Sequence, residues 1–169
     1  MLVGIAASGR TPYVLGAMEE AHTVGASVIA LTCCADSLLS AQADLTIAPL
    51  PGPEVITGST RMKSGTCQKL VLNMLSTGVM IRMGKVYGNL MVDVRTTNEK
   101  LYRRAVSIVQ NATAADEAAA IQALEQCGYT CKTAIVMLLL GLSADEAAAA
   151  LCAADGRIAQ AVSGAATRS

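Results

Sequence analysis

Two short runs contain the residues best suited to chemistry. Ser8-Gly9-Arg10-Thr11 follows the apolar stretch Leu2 to Ala6, and Glu54 precedes Thr57-Gly58-Ser59-Thr60-Arg61-Met62-Lys63. A phosphate held by the first run would sit at the positive end of the helix that follows. Backbone N–H groups would point at it, and the Ser8 and Thr11 hydroxyls would add donors. Gly9 allows the sharp turn and the close approach of a ligand. The same residues also suit a plain strand-to-helix turn with Thr11 as its cap, and taken alone they leave both readings open. In the second run Glu54 lies in a loop carrying Pro49, Pro51 and Pro53. A carboxylate leading into a ligand-facing helix end can act as a general base, although a solvated loop carboxylate is the ordinary reading of a single Glu. Ser59 and Thr60 can bind an anion or cap the next helix.

The elements that must carry these runs read as an α/β body. Leu2 to Ala6, Ser27 to Thr32 and Leu45 to Ala48 are short apolar runs of the kind found in buried parallel strands. Between them lie a helix from Pro12 to about Val24, ended by Gly25, and a short helix from Ser37 to Ala43. This alternation implies a parallel sheet with right-handed crossovers. Residues 49–58 form a loop, because three prolines cannot sit in a central strand. A long, largely buried helix is expected from Thr60 to about Arg82, irregular chain from Gly84 to Thr97, and another helix from Asn98 to Val109. Composition shifts near residue 111 to Ala-rich helical periodicity, with caps at Thr113 or Ala114, Thr130 and Ser143. The expected division is therefore 1–110, the ligand-binding domain, and 111–169, a small bundle of three or four helices.

With 53% hydrophobic and 15% charged residues the chain has ample core material. It has no Phe or Trp, so that core must be built from small aliphatic residues and eight Met. Lys plus Arg equals Asp plus Glu at 13 each, which argues against nucleic acid and against a cationic membrane surface. Zero formal charge on an apolar chain favours a homo-oligomer. One His and six scattered Cys give no metal-ligand spacing and no disulfide framework, so no metal, no cofactor and buried free thiols are expected. The most apolar window, Leu70 to Ile81, is too short to span a bilayer and reads as a buried helix.

The pair of runs resembles the sugar-isomerase (SIS) pattern, in which a strand-end Ser-Gly-x-Thr loop grips a sugar phosphate. Gly4 to Val14, Thr57 to Lys63, Lys69 to Thr77, Gly88 to Val94, Asn98 to Leu101 and Cys131 to Met137 resemble the N-acetylmuramic acid 6-phosphate etherase family. The resemblance implies a SIS-type domain followed by a helical bundle, in a cytoplasmic homodimer that takes a phosphorylated amino sugar. It implies cleavage of the D-lactyl ether, giving N-acetylglucosamine 6-phosphate and D-lactate in cell-wall sugar recycling. Ser8, Gly9, Arg10, Thr11, Ser59 and Thr60 become substrate-binding candidates. Glu54 aligns with the loop Glu that acts as base in SIS isomerases. Family members are longer and begin with another αβ half carrying a first phosphate loop and the proposed acid and base. The chain therefore resembles the C-terminal portion, with a partial SIS domain and weak or no activity alone. The glucokinase regulatory protein, which binds sugar phosphates without catalysis, supplies the alternative of a regulatory module. A structural fragment, with Ser8 and Thr11 as caps, is the third reading.

Overall fold

The computed structural model describes residues 1–166; the last three residues of the expected bundle, 167–169, lie outside them. The chain divides into two compact units, Met1–Ser76 and Thr77–Ser169.

In the first unit β1 (Leu2–Ile5), α1 (Pro12–Thr23), β2 (Val28–Leu31), α2 (Leu38–Gln42) and β3 (Leu45–Ile47) alternate as expected. The three strands are parallel in the order β1-β2-β3, with Leu2 opposite Val28 and Ile29 opposite Leu45. Parallel pairing places the carboxyl ends of all three strands on one edge, where open α/β sheets bind ligands. Met18, Val28, Ala30 and Leu39 are fully buried and form the core with Ala6. Gly4 makes that packing possible, since a Cβ there would lie 2.6 Å from the Met18 sulfur. Pro12 opens α1 at a position where its missing N–H costs nothing.

The helix α3 (Lys63–Arg82) begins three residues later than expected, and it is not largely buried. Ser64 and Val71 are covered, whereas Leu70, Leu72, Met74, Val79, Met80 and Ile81 are exposed. Its apolar composition places apolar side chains on several sides of the helix, but composition does not supply the cover that burial needs. Only one stripe of it is covered among the described residues.

The second unit holds a hairpin, β4 (Val86–Tyr87) and β5 (Leu90–Met91), where irregular chain was expected. Gly88-Asn89 forms its two-residue turn, with Gly88 at φ +58°. Among the described residues five helices follow: α4 (Glu99–Thr113), α5 (Glu117–Gln126), α6 (Cys131–Leu140), α7 (Ala144–Ala153) and α8 (Ile158–Ala166). The centre is α6, which touches α4, α5, α7 and α8. Ala105, Ala120, Ala134 and Ala147 are completely buried beside Val109, Leu124 and Ile135, so small residues let the helices approach closely. α4 packs its buried face of Ala105, Val106, Ile108 and Val109 into this cluster, so division by compactness falls at 76/77 and not at the compositional shift near 111. Asn98, Asp116 and Ser143 cap α4, α5 and α7 with their side chains, Ser143 in a reciprocal capping box with Glu146. Asp116 takes the role expected of Thr113 or Ala114. Thr130 is an N-cap by position but makes no side-chain cap bond. No single helix among the described residues is long and apolar enough to cross a membrane.

Candidate functional site

At the carboxyl edge of the sheet the first unit forms a cleft of about 480 Å3. Its walls come from the turn after β1 (Ala7 and Ser8), the turn after β2 (Cys33 and Cys34), and the proline-bounded loop that leads into α3. Ser8, Glu54, Ser59 and Thr60, expected from the sequence to act together, all line it.

Gly9 does not. It is buried at φ +63°, and a Cβ on it would come within 2.3 Å of the Ser37 side chain and 2.9 Å of Thr32 Oγ1. The close approach that demands glycine within the chain is thus to the start of α2. The Leu39 N–H donates to Gly9 O at 3.0 Å, and the Cys33 N–H to Ala7 O at 3.0 Å. These bonds lock the Ser8 turn onto the neighbouring turn after β2.

Arg10 and Thr11 are exposed and lie outside the cleft. Arg10 lines a separate open hollow of about 710 Å3 with Asp36, Ser37 and Ser40. Thr11 is the N-cap of α1 by backbone position, yet its hydroxyl makes no cap hydrogen bond. The side-chain bond that defines the plain capped-turn reading of Thr11 is therefore missing.

Glu54 is half-buried, and its carboxylate is tied at both oxygens. Oε2 accepts the Lys63 N–H at 3.0 Å and Oε1 accepts the Ser64 N–H at 3.0 Å. These are first-turn donors of α3, which otherwise have no intrahelical partner. The Lys63 and Ser64 N–H groups, in that order, hold the Glu54 carboxyl below its ordinary value of 4.5. A carboxylate that is ionised and doubly bonded binds firmly but is a weakened proton acceptor.

Cys33, Cys34, Thr57 and buried Ser64 also line the cleft and were missed as site residues. Cys33-Cys34 directly after β2 stands at the same strand end as Ser8 after β1, and that placement was the available signal. All six cysteines are free thiols, but only Cys131 is buried; Cys34 and Cys152 are exposed, and the other three intermediate. Cys131 is pushed up to about 11, chiefly by burial. No group of His, Cys, Asp and Glu suited to a metal ion occurs among the described residues.

Residues 1–78 match the model of the SIS domain. Residues 88–134 match the C-terminal lid domain of glucokinase regulatory protein. Over 163 residues, 96% of this chain, the sequence is 59% identical to the N-acetylmuramic acid 6-phosphate etherase of Klebsiella aerogenes. It is equally similar to that of Aliivibrio fischeri, and 59% identical over 160 residues to that of Aeromonas hydrophila. The chain spans about half the length of these curated relatives, 54% in each case. The resemblance read from the SIS loops thus extends along nearly the whole chain.

Proposed function

We infer that the chain belongs to an N-acetylmuramic acid 6-phosphate etherase and supplies part of its phosphosugar cleft. The observation that carries this reading is identity of 59% over 96% of the chain, with Ser8, Glu54, Ser59 and Thr60 gathered in one cleft. In the proposed reaction the sugar opens to its aldehyde, and the carbonyl acidifies the C2 proton. Removal of that proton lets D-lactate leave from C3, and water adds to the unsaturated aldehyde to give N-acetylglucosamine 6-phosphate. No step requires a metal. The Ser8, Ser59 and Thr60 hydroxyls hold the phosphate, whose binding energy is spent on placing distant C2 and C3. Glu54 is the cleft carboxylate in this chain, Gly9 keeps the Ser8 turn in place, and Arg10 and Thr11 lie outside the cleft.

The likeness of residues 88–134 to the lid domain of a regulatory protein supports a second reading, a phosphosugar-binding module without chemistry. D-lactate release separates the two when the chain is assayed alone and together with the remaining segment of a full-length relative. Lactate formed only by the mixture is the result expected of an etherase portion; binding without lactate in either assay favours the regulatory module.

The same reading makes the protein a cytoplasmic homodimer. Six free thiols accord with a reducing compartment, and the exposed apolar side chains of α3 with zero formal charge accord with self-association.

A further inference from the structure

We propose that Glu54 is a positioning residue, whose carboxylate clips the loop 55–62 into the shape in which Thr57, Ser59 and Thr60 line the cleft. It is not the group that takes the proton. The inference rests on the phosphosugar reading of this cleft and goes beyond it by giving Glu54 a role opposite to that of the loop base.

The loop has little else to hold it. Val55 and Ile56 are 76% and 69% exposed, so no apolar anchor ties its first half to a core. Thr57, Gly58 and Thr60 are exposed as well. Inside the loop the Ser59 N–H donates to Ile56 O at 3.0 Å, and Gly58 sits at φ +84°. Across its base the Gly65 N–H reaches Thr60 O at 3.1 Å. The Glu54 carboxylate closes the ring at Lys63 and Ser64, nine and ten residues downstream. Ordering a loop of this length costs conformational entropy that its exposed side chains do not repay. Two charge-assisted bonds at the positive end of α3 are the interactions able to offset that cost.

The same geometry argues against proton abstraction. Each carboxylate oxygen already accepts one backbone donor, and taking a proton would weaken both bonds at the moment the loop must hold the ligand. A base is most effective with an affinity for protons near that of its medium. The α3 donors pull Glu54 the other way.

The test uses the whole 169-residue chain, 15N-labelled, with N-acetylglucosamine 6-phosphate as probe. In the unliganded wild type the Lys63 and Ser64 amide signals should move with the Glu54 carboxyl as pH falls. The Thr57, Ser59 and Thr60 amides should follow with the same midpoint, below 4.5. Glu54→Gln keeps side-chain length and one acceptor, and should weaken the probe about ten-fold; Glu54→Ala should weaken it further. Undiminished affinity in both variants overturns the proposal and leaves the phosphosugar reading standing. So do loop amides that stay still while Lys63 and Ser64 titrate, a result that needs no variant to fold. A wild-type chain that fails to bind the probe overturns the phosphosugar reading, and this proposal with it.

Discussion

Gly9 and Ser37 are packed so closely that a Cβ on the glycine would lie 2.3 Å from both Cβ and Oγ of the serine. The contact ties the turn after β1 to the N-cap of α2, and it fixes where Ser8 stands in the cleft. Gly9→Ala must also hold a left-handed backbone, at φ +63°. It should cost at least about 1–3 kcal/mol of stability, measured by denaturant unfolding. Phosphosugar affinity should fall with it because Ser8 is displaced.

Ser143 supplies a control in the other unit. Its hydroxyl caps α7 in a reciprocal box with Glu146. Ser143→Ala should lower stability by about 1 kcal/mol in thermal or denaturant unfolding and leave probe affinity unchanged. A change in affinity of the same size as that from Gly9→Ala would show that the cleft answers to general stability.

Acid should act through Glu54. Its folded carboxyl lies below 4.5, so its protons bind more readily in the unfolded chain. Its contribution is present above the unfolded value and is lost as pH falls through the folded one. Unfolding midpoints of the wild type should therefore drop more steeply below about pH 4.5 than those of Glu54→Gln.

The thiols should separate by burial. Cys34 and Cys152 are exposed and should react first with a disulfide reagent. Cys131, held near 11, has about one thiolate in a thousand at pH 8 and should react only as the unit opens. A phosphosugar in the cleft should slow Cys34, which lines it, and leave Cys152 unaffected.

Self-association should depend on α3. Met74 is 64% exposed and Val79 is 52% exposed. In the proposed homodimer this face is the interface, so Met74→Glu should leave the circular dichroism spectrum intact and shift sedimentation from dimer to monomer. An unchanged dimer would place the interface elsewhere.

Much of this was readable in the residues, for identifiable reasons. Pro12 after Thr11, Gly25 after Val24 and three apolar runs placed α1, β1, β2 and β3 because each signal is local. Burial of α3 was misread because the apolar residues from Leu70 to Ile81 record what the helix can cover, not what is there to cover them. The hairpin at Val86–Met91 was missed because its strands are two residues each, too short to show alternation. Ser8, Ser59 and Thr60, which line the candidate cleft, were legible from strand ends and helix starts. Arg10 and Thr11 were grouped with Ser8 by adjacency, but the chain turns away from the cleft after Gly9. The Glu54 clip joins groups nine and ten residues apart through backbone donors, and no residue type announces such a bond.

The most direct test of the central claim is calorimetric titration of the chain with N-acetylmuramic acid 6-phosphate, beside unphosphorylated N-acetylmuramic acid. A phosphosugar cleft predicts saturable binding of the phosphorylated sugar, much weaker binding of the other, and a marked loss in the Ser8→Ala, Ser59→Ala double variant. Equal affinity for the two sugars, or binding unaffected by the double variant, would contradict it.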